Sequence, residues 1–406
     1  MKKVLITSLA IWLGVMSVIP LWAAATTPAG KPAPAQKADA SPGKQAAETL
    51  SLLTGVAISP LLGTGAVGAY QYMTAKEPAQ KSKLPWYAQP WFWVPAMLLV
   101  GATALKDTIG AAMPAIKKPL DVAEVVENKV SGLVAAGAFV PLVANFFPSG
   151  TASAMYDGLF GFAALDMGDV LNMLSLPFAL AVFAVVWLAS HAITILIVIS
   201  PFTVVDAALK SCRTALIGVV AGLSFINPYL SALLSIVIII IAYLIAGWSF
   251  RLTVFGTAFA WDSMTFRRKR FTPLANNNWM FTAVKLEKVP VRTYGKLTRD
   301  EQGKFTFEYR PWLFLSKRTL SVPETGLAVG KALVFPEIVR VEGPDKRHAS
   351  LFTLPPRYMT HEAELARAYA IGQCEVGLLA GAKAAWNWLK GFFGMKPESA
   401  TQTAPA

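Results

Sequence analysis

Charge is scarce in this chain. Only 15% of its 406 residues are Asp, Glu, Lys or Arg, against about 25% in ordinary soluble domains. Two cysteines, Cys212 and Cys374, and three histidines, His191, His348 and His361, complete the short supply of metal-binding and redox side chains. Two cysteines far apart exclude a disulfide framework and read as unpaired thiols. His348 and His361 lack Cys, His or carboxylate companions at ligand spacing, so no metal site is expected. A phosphate-binding Gly-Lys-Ser/Thr loop, a nucleophile elbow and a paired-histidine zinc helix are all missing. Gly63-Thr64-Gly65 is too short to count as a phosphate loop. No cofactor and no enzymatic activity are expected, and no nucleic-acid motif is present.

What the chain has instead is apolar bulk, 54% of all residues. Basic charge is concentrated at one end. Residues 1–249 carry 14 Lys/Arg and 11 Asp/Glu, whereas residues 250–406 carry 23 and 13. A basic half joined to an apolar half points to a lipid bilayer with anionic headgroups as the partner, rather than to nucleic acid.

Lys2 and Lys3, the apolar run Val4 to Leu21 and the small residues Ala23 to Ala25 have the form of a signal peptide over 1–25. An uncleaved first anchor has the same composition. Residues 26–47, rich in Ala, Pro, Lys and Thr, read as a disordered tether. Six further stretches are candidate spans: Leu50–Met73, Trp91–Met113, Val130–Phe147, Val170–Ile199, Leu209–Ile226 and Pro228–Phe250. Their long unalternating runs make them helices and exclude a barrel. Leu50–Met73 contains Gly55, Pro60, Gly63, Gly65 and Gly68, interruptions expected where a segment re-enters, although an ordinary span fits its length. Asp157, Asp166 and Asp169 fall in an outer connection. Arg267, Arg268, Lys269 and Arg270, after the last span, belong on the cytoplasmic side.

Two stretches resemble each other when slid by 86 or 87 positions. Pro95–Pro141 and Phe183–Pro228 each hold an apolar helix, a proline, a short polar piece and a small-residue run, with Pro114 matching Pro201, Gly132 matching Gly218 and Phe139 matching Phe225. This reads as a parallel internal repeat of helix pairs. The pattern Trp93-Val-Pro-Ala-Met-Leu-Leu-Val, Lys106-Asp107, Pro114, Pro119-Leu-Asp121, Ser190-His191 and Ser200-Pro201 also resembles bacterial multi-pass proteins grouped as domain of unknown function 4126, over about residues 50–250. The resemblance implies membrane topology and no activity.

Ionisable groups in apolar spans are costly and are therefore candidates for function. Lys106 and Asp107 read as an ion site in a cavity or as members of structural ion pairs. His191, beside Ser190, reads as a proton relay or as a histidine held by a neighbouring helix. Asp206 and Lys210, four apart, read as a helix-surface pair. Arg267 to Arg270 are candidates for contact with lipid headgroups.

After Arg270 the pattern alternates. Phe305, Phe307 and Tyr309 share one face of a strand, and Val289–Leu297, Trp312–Leu320 and Leu333–Val341 read likewise, with turns at Asp300–Gly303 and Pro323–Gly326. A helix capped near Thr360 follows, an order resembling pleckstrin-homology-like folds. Val376–Met395 reads as a last helix with aromatic and lysine side chains. The expected architecture is thus a membrane all-α helical bundle of five to six spans (48–256), a small antiparallel β domain (257–360), C-terminal helices (361–395) and a disordered tail (396–406). The expected location is a bacterial inner membrane with the C-terminal domain in the cytoplasm. The helices would handle a small solute or lipid, or serve only as a scaffold that anchors a partner-binding domain.

Overall fold

The computed structural model describes residues 42–110, 114–144, 167–200, 202–274, 276–300, 302–323, 325–331, 335–342, 347–375 and 390. The signal segment, most of the tether, the outer connection with Asp157 and Asp166, and nearly all of Val376–Met395 lie outside the described residues. The chain forms two compact units, 1–249 and 250–406.

The first unit is helical: α1 (Pro42–Ile58), α2 (Pro60–Thr74), the short α3 (Pro78–Lys81), α4 (Pro90–Gly110), α5 (Pro114–Ala144), α6 (Met167–Ile199), α7 (Thr203–Ile226) and the first part of α8 (Pro228–Met264). Proline opens most of them, because its missing N–H falls among donors that have no helical partner anyway. Residues 42–47, expected in the tether, are already helical. Among the described residues, three helices are long and apolar enough to cross a membrane: Pro177–Ile199, Val204–Ile226 and Pro228–Met264.

Leu50–Met73 is not one helix. The chain breaks at Ser59, and α2 folds back so closely that a methyl group on Gly63 would lie 2.8 Å from Val56 Cα. At Gly65 a methyl group would lie 3.2–3.3 Å from the Met97 and Ala96 side chains of α4, a tight contact but not a backbone clash. The glycines therefore sit in helical backbone and permit close helix packing, as small residues do in membranes. They do not mark unwound chain. The polar piece after Pro114 and the described part of the apolar run Val130–Phe147, up to Ala144, likewise join in a single helix, α5. That helix runs through Pro141, whereas Pro228 starts a new one. The two stretches matched in the sequence therefore differ at their last proline.

The second unit begins at Phe250, earlier than the expected 257, because Leu252, Phe255 and Ala260 of α8 are buried. Phe255 packs edge-on against Phe281 at 4.8 Å. Eight strands follow: β1 (Asn278–Thr282), β2 (Tyr294–Arg299), β3 (Phe305–Tyr309), β4 (Arg318–Val322), β5 (Leu327–Lys331), β6 (Glu337–Glu342), β7 (Arg347–Thr353) and β8 (Gly372–Glu375). Their order in the sheet is 4-3-2-1-7-6-5-8. Neighbours are antiparallel except β8, which runs parallel to β5, with Ala328 opposite Gly372. The sheet is mixed, and β8 is a strand within the stretch 361–395 that was expected to be helical.

Phe305, Phe307 and Tyr309 are buried on one face as their alternation requires, and they join Met280, Leu297, Phe352, Tyr358 and Tyr369 in the core. The turn at Asp300–Gly303 is present, with Gly303 at φ +89° and Asp300 Oδ1 accepting from the Lys304 amide at 2.7 Å. Two expected strands start later: the stretch Val289–Leu297 joins the sheet from Tyr294 and runs on to Arg299, and the described part of Leu333–Val341 pairs from Glu337. Trp312–Leu320 is mostly turn, since Trp312 and Leu313 have left-handed backbone (φ +54° and +66°) and β4 starts at Arg318. Thr360 does not cap α9 (Glu362–Tyr369). It lies at φ +74°, and His361 holds the cap position.

Candidate functional site

Three helices of the first unit carry polar residues at helical spacing. Asp121, Asn128 and Ser131 on α5, His191 and Thr194 on α6, and Asp206 on α7 are each less than a tenth exposed. Residues three, four and seven apart share a helix face, so α5 and α6 each bury a polar stripe, and α7 adds the single buried Asp206.

His191 is fully buried, and its ring stacks almost parallel on Trp187 at 5.1 Å. Nδ1 lies 2.8 Å from Asn128 Oδ1. With the carboxamide oxygen facing it, Nδ1 carries the proton and Nε2 presents a lone pair. No described residue hydrogen-bonds that buried Nε2. The contact between α5 and α6 is set by Gly132, where a methyl group would lie 2.6 Å from Trp187 Cε2. Ser190 Oγ donates to the carbonyl of Ile58 at 2.6 Å, satisfying an end carbonyl of α1.

Cations adjoin this cluster. Arg213 Nη1 donates to Thr194 Oγ1 at 3.2 Å, and the charges of Lys129 and Arg213 act on the imidazole. Lys210 Nζ reaches Asp121 Oδ1 at 3.9 Å. Asp206 is buried and not on the helix surface expected for it, and Lys210 reaches Asp121 on α5. Of the two readings of His191, the bond to a neighbouring helix is present on Nδ1, and no described residue hydrogen-bonds Nε2. Lys106 and Asp107 fall within α4, and their side chains lie outside those described. Asn128 was missed in the sequence, although its spacing of seven from Asp121 and three from Ser131 carries the signal.

In the second unit, Asp262 is wholly buried. Its Oδ2 accepts from Arg357 Nε at 2.7 Å and from the Arg357 amide at 3.3 Å. Arg267 stands 3.8 Å from Oδ1. The rest of the basic run is also engaged. The Arg268 carbonyl accepts from His361 Nε2 at 2.7 Å, Arg270 donates to the Thr265 carbonyl at 2.9 Å, and Lys269 lies over the Phe266 ring. Arg267 to Arg270 remain exposed while they brace the end of α8. The bond that His361 donates to the Arg268 carbonyl, together with Glu364 at 2.9 Å from Nδ1, raises the His361 pKa above its ordinary value.

Cys212 and Cys374 are free thiols. Among the described residues no three His, Cys, Asp or Glu side chains gather where they could hold a metal.

Apolar helices of spanning length around buried polar groups are features of a membrane protein. No family profile, curated protein or solved structure matches the chain.

Proposed function

We propose that this is a polytopic protein of a bacterial inner membrane, whose helices handle a small polar solute, or the polar part of a lipid, at the His191 cluster. The observation that carries the reading is the buried Nε2 of His191, which no described residue hydrogen-bonds. An unsatisfied polar atom at such depth costs stability and needs a reason. A substrate hydrogen or a transferred proton supplies one, and the charges of Lys129 and Arg213 favour an anionic group beside it. The β unit lies on the cytoplasmic side, supported by the run Arg267 to Arg270 after the last span, and it faces the lipid surface.

A second reading, a scaffold that anchors a cytoplasmic partner-binding domain, draws support from the burial of Leu252, Phe255 and Asp262 of α8 in the β unit. Complementation of a strain lacking the chain separates the two. If the solute reading holds, His191→Ala and Asn128→Ala fail to restore the phenotype at normal membrane abundance. If both variants restore it and only deletion of 272–406 fails, the protein is a scaffold.

A further inference from the structure

The turn between β3 and β4 places four large apolar residues in solvent. Trp312, Leu313, Phe314 and Leu315 are 42%, 46%, 75% and 43% exposed. Their exposure is built in: Leu313 N donates to the Arg310 carbonyl at 3.0 Å and Leu315 N to the Pro311 carbonyl at 3.1 Å. Trp312 and Leu313 also adopt left-handed backbone, which bulky side chains rarely do. Strain and exposed apolar bulk at one tetrapeptide call for a partner.

Three features choose the partner. Arg310, Lys317 and Arg318 form an exposed basic collar around the tip, with Lys317 also paired to Glu308 at 2.9 Å. The Trp312 ring lies 4.8 Å from Phe250, which is the residue that closes the apolar run Pro228–Phe250. That contact sets the turn at the level where α8 leaves the hydrocarbon, if α8 is a span. The opposite end of β3, at Asp300, Gln302 and Gly303, is polar.

We infer that the β3–β4 turn of this unit inserts into the anionic surface of the bilayer, with Trp312 to Leu315 among the upper acyl chains and Arg310, Lys317 and Arg318 at the headgroups. Tryptophan with basic side chains above it is the composition of a membrane interface, and long basic stems reach up past buried apolar groups. Arg267 to Arg270 suit this role less well. Helix α8 continues from Phe250 to Met264, which is about 21 Å at the usual rise per residue. The headgroup contact therefore moves from that run to the turn. The inference rests on the membrane reading above, and its test is arranged so that the two can fail separately.

Full-length chain with Cys212→Ser and Cys374→Ser receives one cysteine at a time: Phe314→Cys, Leu244→Cys in the exposed apolar face of α8, or Gln302→Cys at the far turn. Each is labelled with an environment-sensitive fluorophore and reconstituted in phosphatidylcholine–phosphatidylglycerol vesicles containing nitroxide lipids. The label at 314 should shift to the blue and be quenched at a depth of about 5–10 Å below the headgroups, the label at 244 deeper, and the label at 302 not at all. Adding Arg310→Gln and Arg318→Gln should make the label at 314 shallower. Quenching at 244 with a water-exposed label at 314 overturns the turn's insertion alone. No quenching at either site overturns the membrane reading as well. Shielding at 314 that follows protein-to-lipid ratio and not nitroxide depth assigns the tip to a second copy of the chain, and overturns the lipid assignment.

Discussion

Asp262→Ala should open the β unit at its attachment to α8. The carboxylate has no solvent access, and Arg357 is 6% exposed. At 2.7 Å and an effective dielectric of about 20, the pair attracts with about 6 kcal/mol before desolvation is subtracted. Arg267 adds little, since 44% of its side chain is exposed and water screens it. Removing Asp262 leaves the Arg357 guanidinium buried and uncompensated, a loss of about 3–5 kcal/mol. The readout must be local, because two units need not unfold together. Amide exchange of β1 and β7, measured by mass spectrometry on the full chain, should accelerate by about two to three and a half decades, at about 1.4 kcal/mol per decade. The double variant Asp262→Leu, Arg357→Met should recover most of that loss, since an apolar pair of similar volume replaces a buried ion pair at little net cost. If the single variant exchanges like wild type, or the double variant is as open as the single one, Asp262 does not hold the unit and the reasoning fails.

The other predictions concern packing and protonation. Gly132→Ala drives a methyl group into the Trp187 indole, costing about 1–3 kcal/mol by overpacking and tilting the ring on which His191 rests. Thermal melts in detergent should fall, and the His191 ring resonances should move. An unchanged spectrum would refute the contact. Gly63→Ala forces α2 away from Val56 backbone that has no rotamer to yield, so the α1–α2 bend should destabilise by a similar amount, read by protease susceptibility near Ser59. His361 has a folded-state pKa raised above the ordinary 6.5, first by its bond to the Arg268 carbonyl. Its stabilisation is therefore complete below about pH 6.5 and is lost as pH rises through the raised value. His361→Gln should flatten the pH dependence of exchange in α9, and a steep dependence that survives the substitution would exclude this residue.

The sequence announced its helices better than its contacts. Long apolar runs and opening prolines are local signals, and α6, α7 and α8 start or end close to the expected places. The strand carrying Phe305, Phe307 and Tyr309 was legible because one buried face enforces strict alternation. β5 and β8 were not, since Ala328 and Val329 are both buried and Gly372 to Glu375 follow a helix. Strands covered on two faces lose the alternation that reveals them. The glycines of α2 read as interruptions because close helix contact and broken helix use the same residue. Only the neighbours Val56, Ala96 and Met97, unknown to a one-dimensional pattern, decide between the two. His191 was visible as a costly residue in an apolar run, while Asn128 hid at the seam where the polar half of α5 passes into its apolar half.

The Trp312–Leu320 stretch shows how one composition serves two structures. Its large aromatic and aliphatic side chains suit a strand by composition, yet pairing stops at Tyr309 and resumes at Arg318. A strand there would have turned Trp312, Phe314 or their neighbours toward one covered face. The left-handed pair at Trp312 and Leu313 points all four outward together instead. Water alone gives no advantage to that arrangement, since burying apolar area is favourable by about 25 cal/mol per Å² and the backbone strain adds to the cost. The proposed insertion into a lipid surface would supply the missing apolar environment. The departure from the strand pattern and the proposed insertion therefore share a single physical cause.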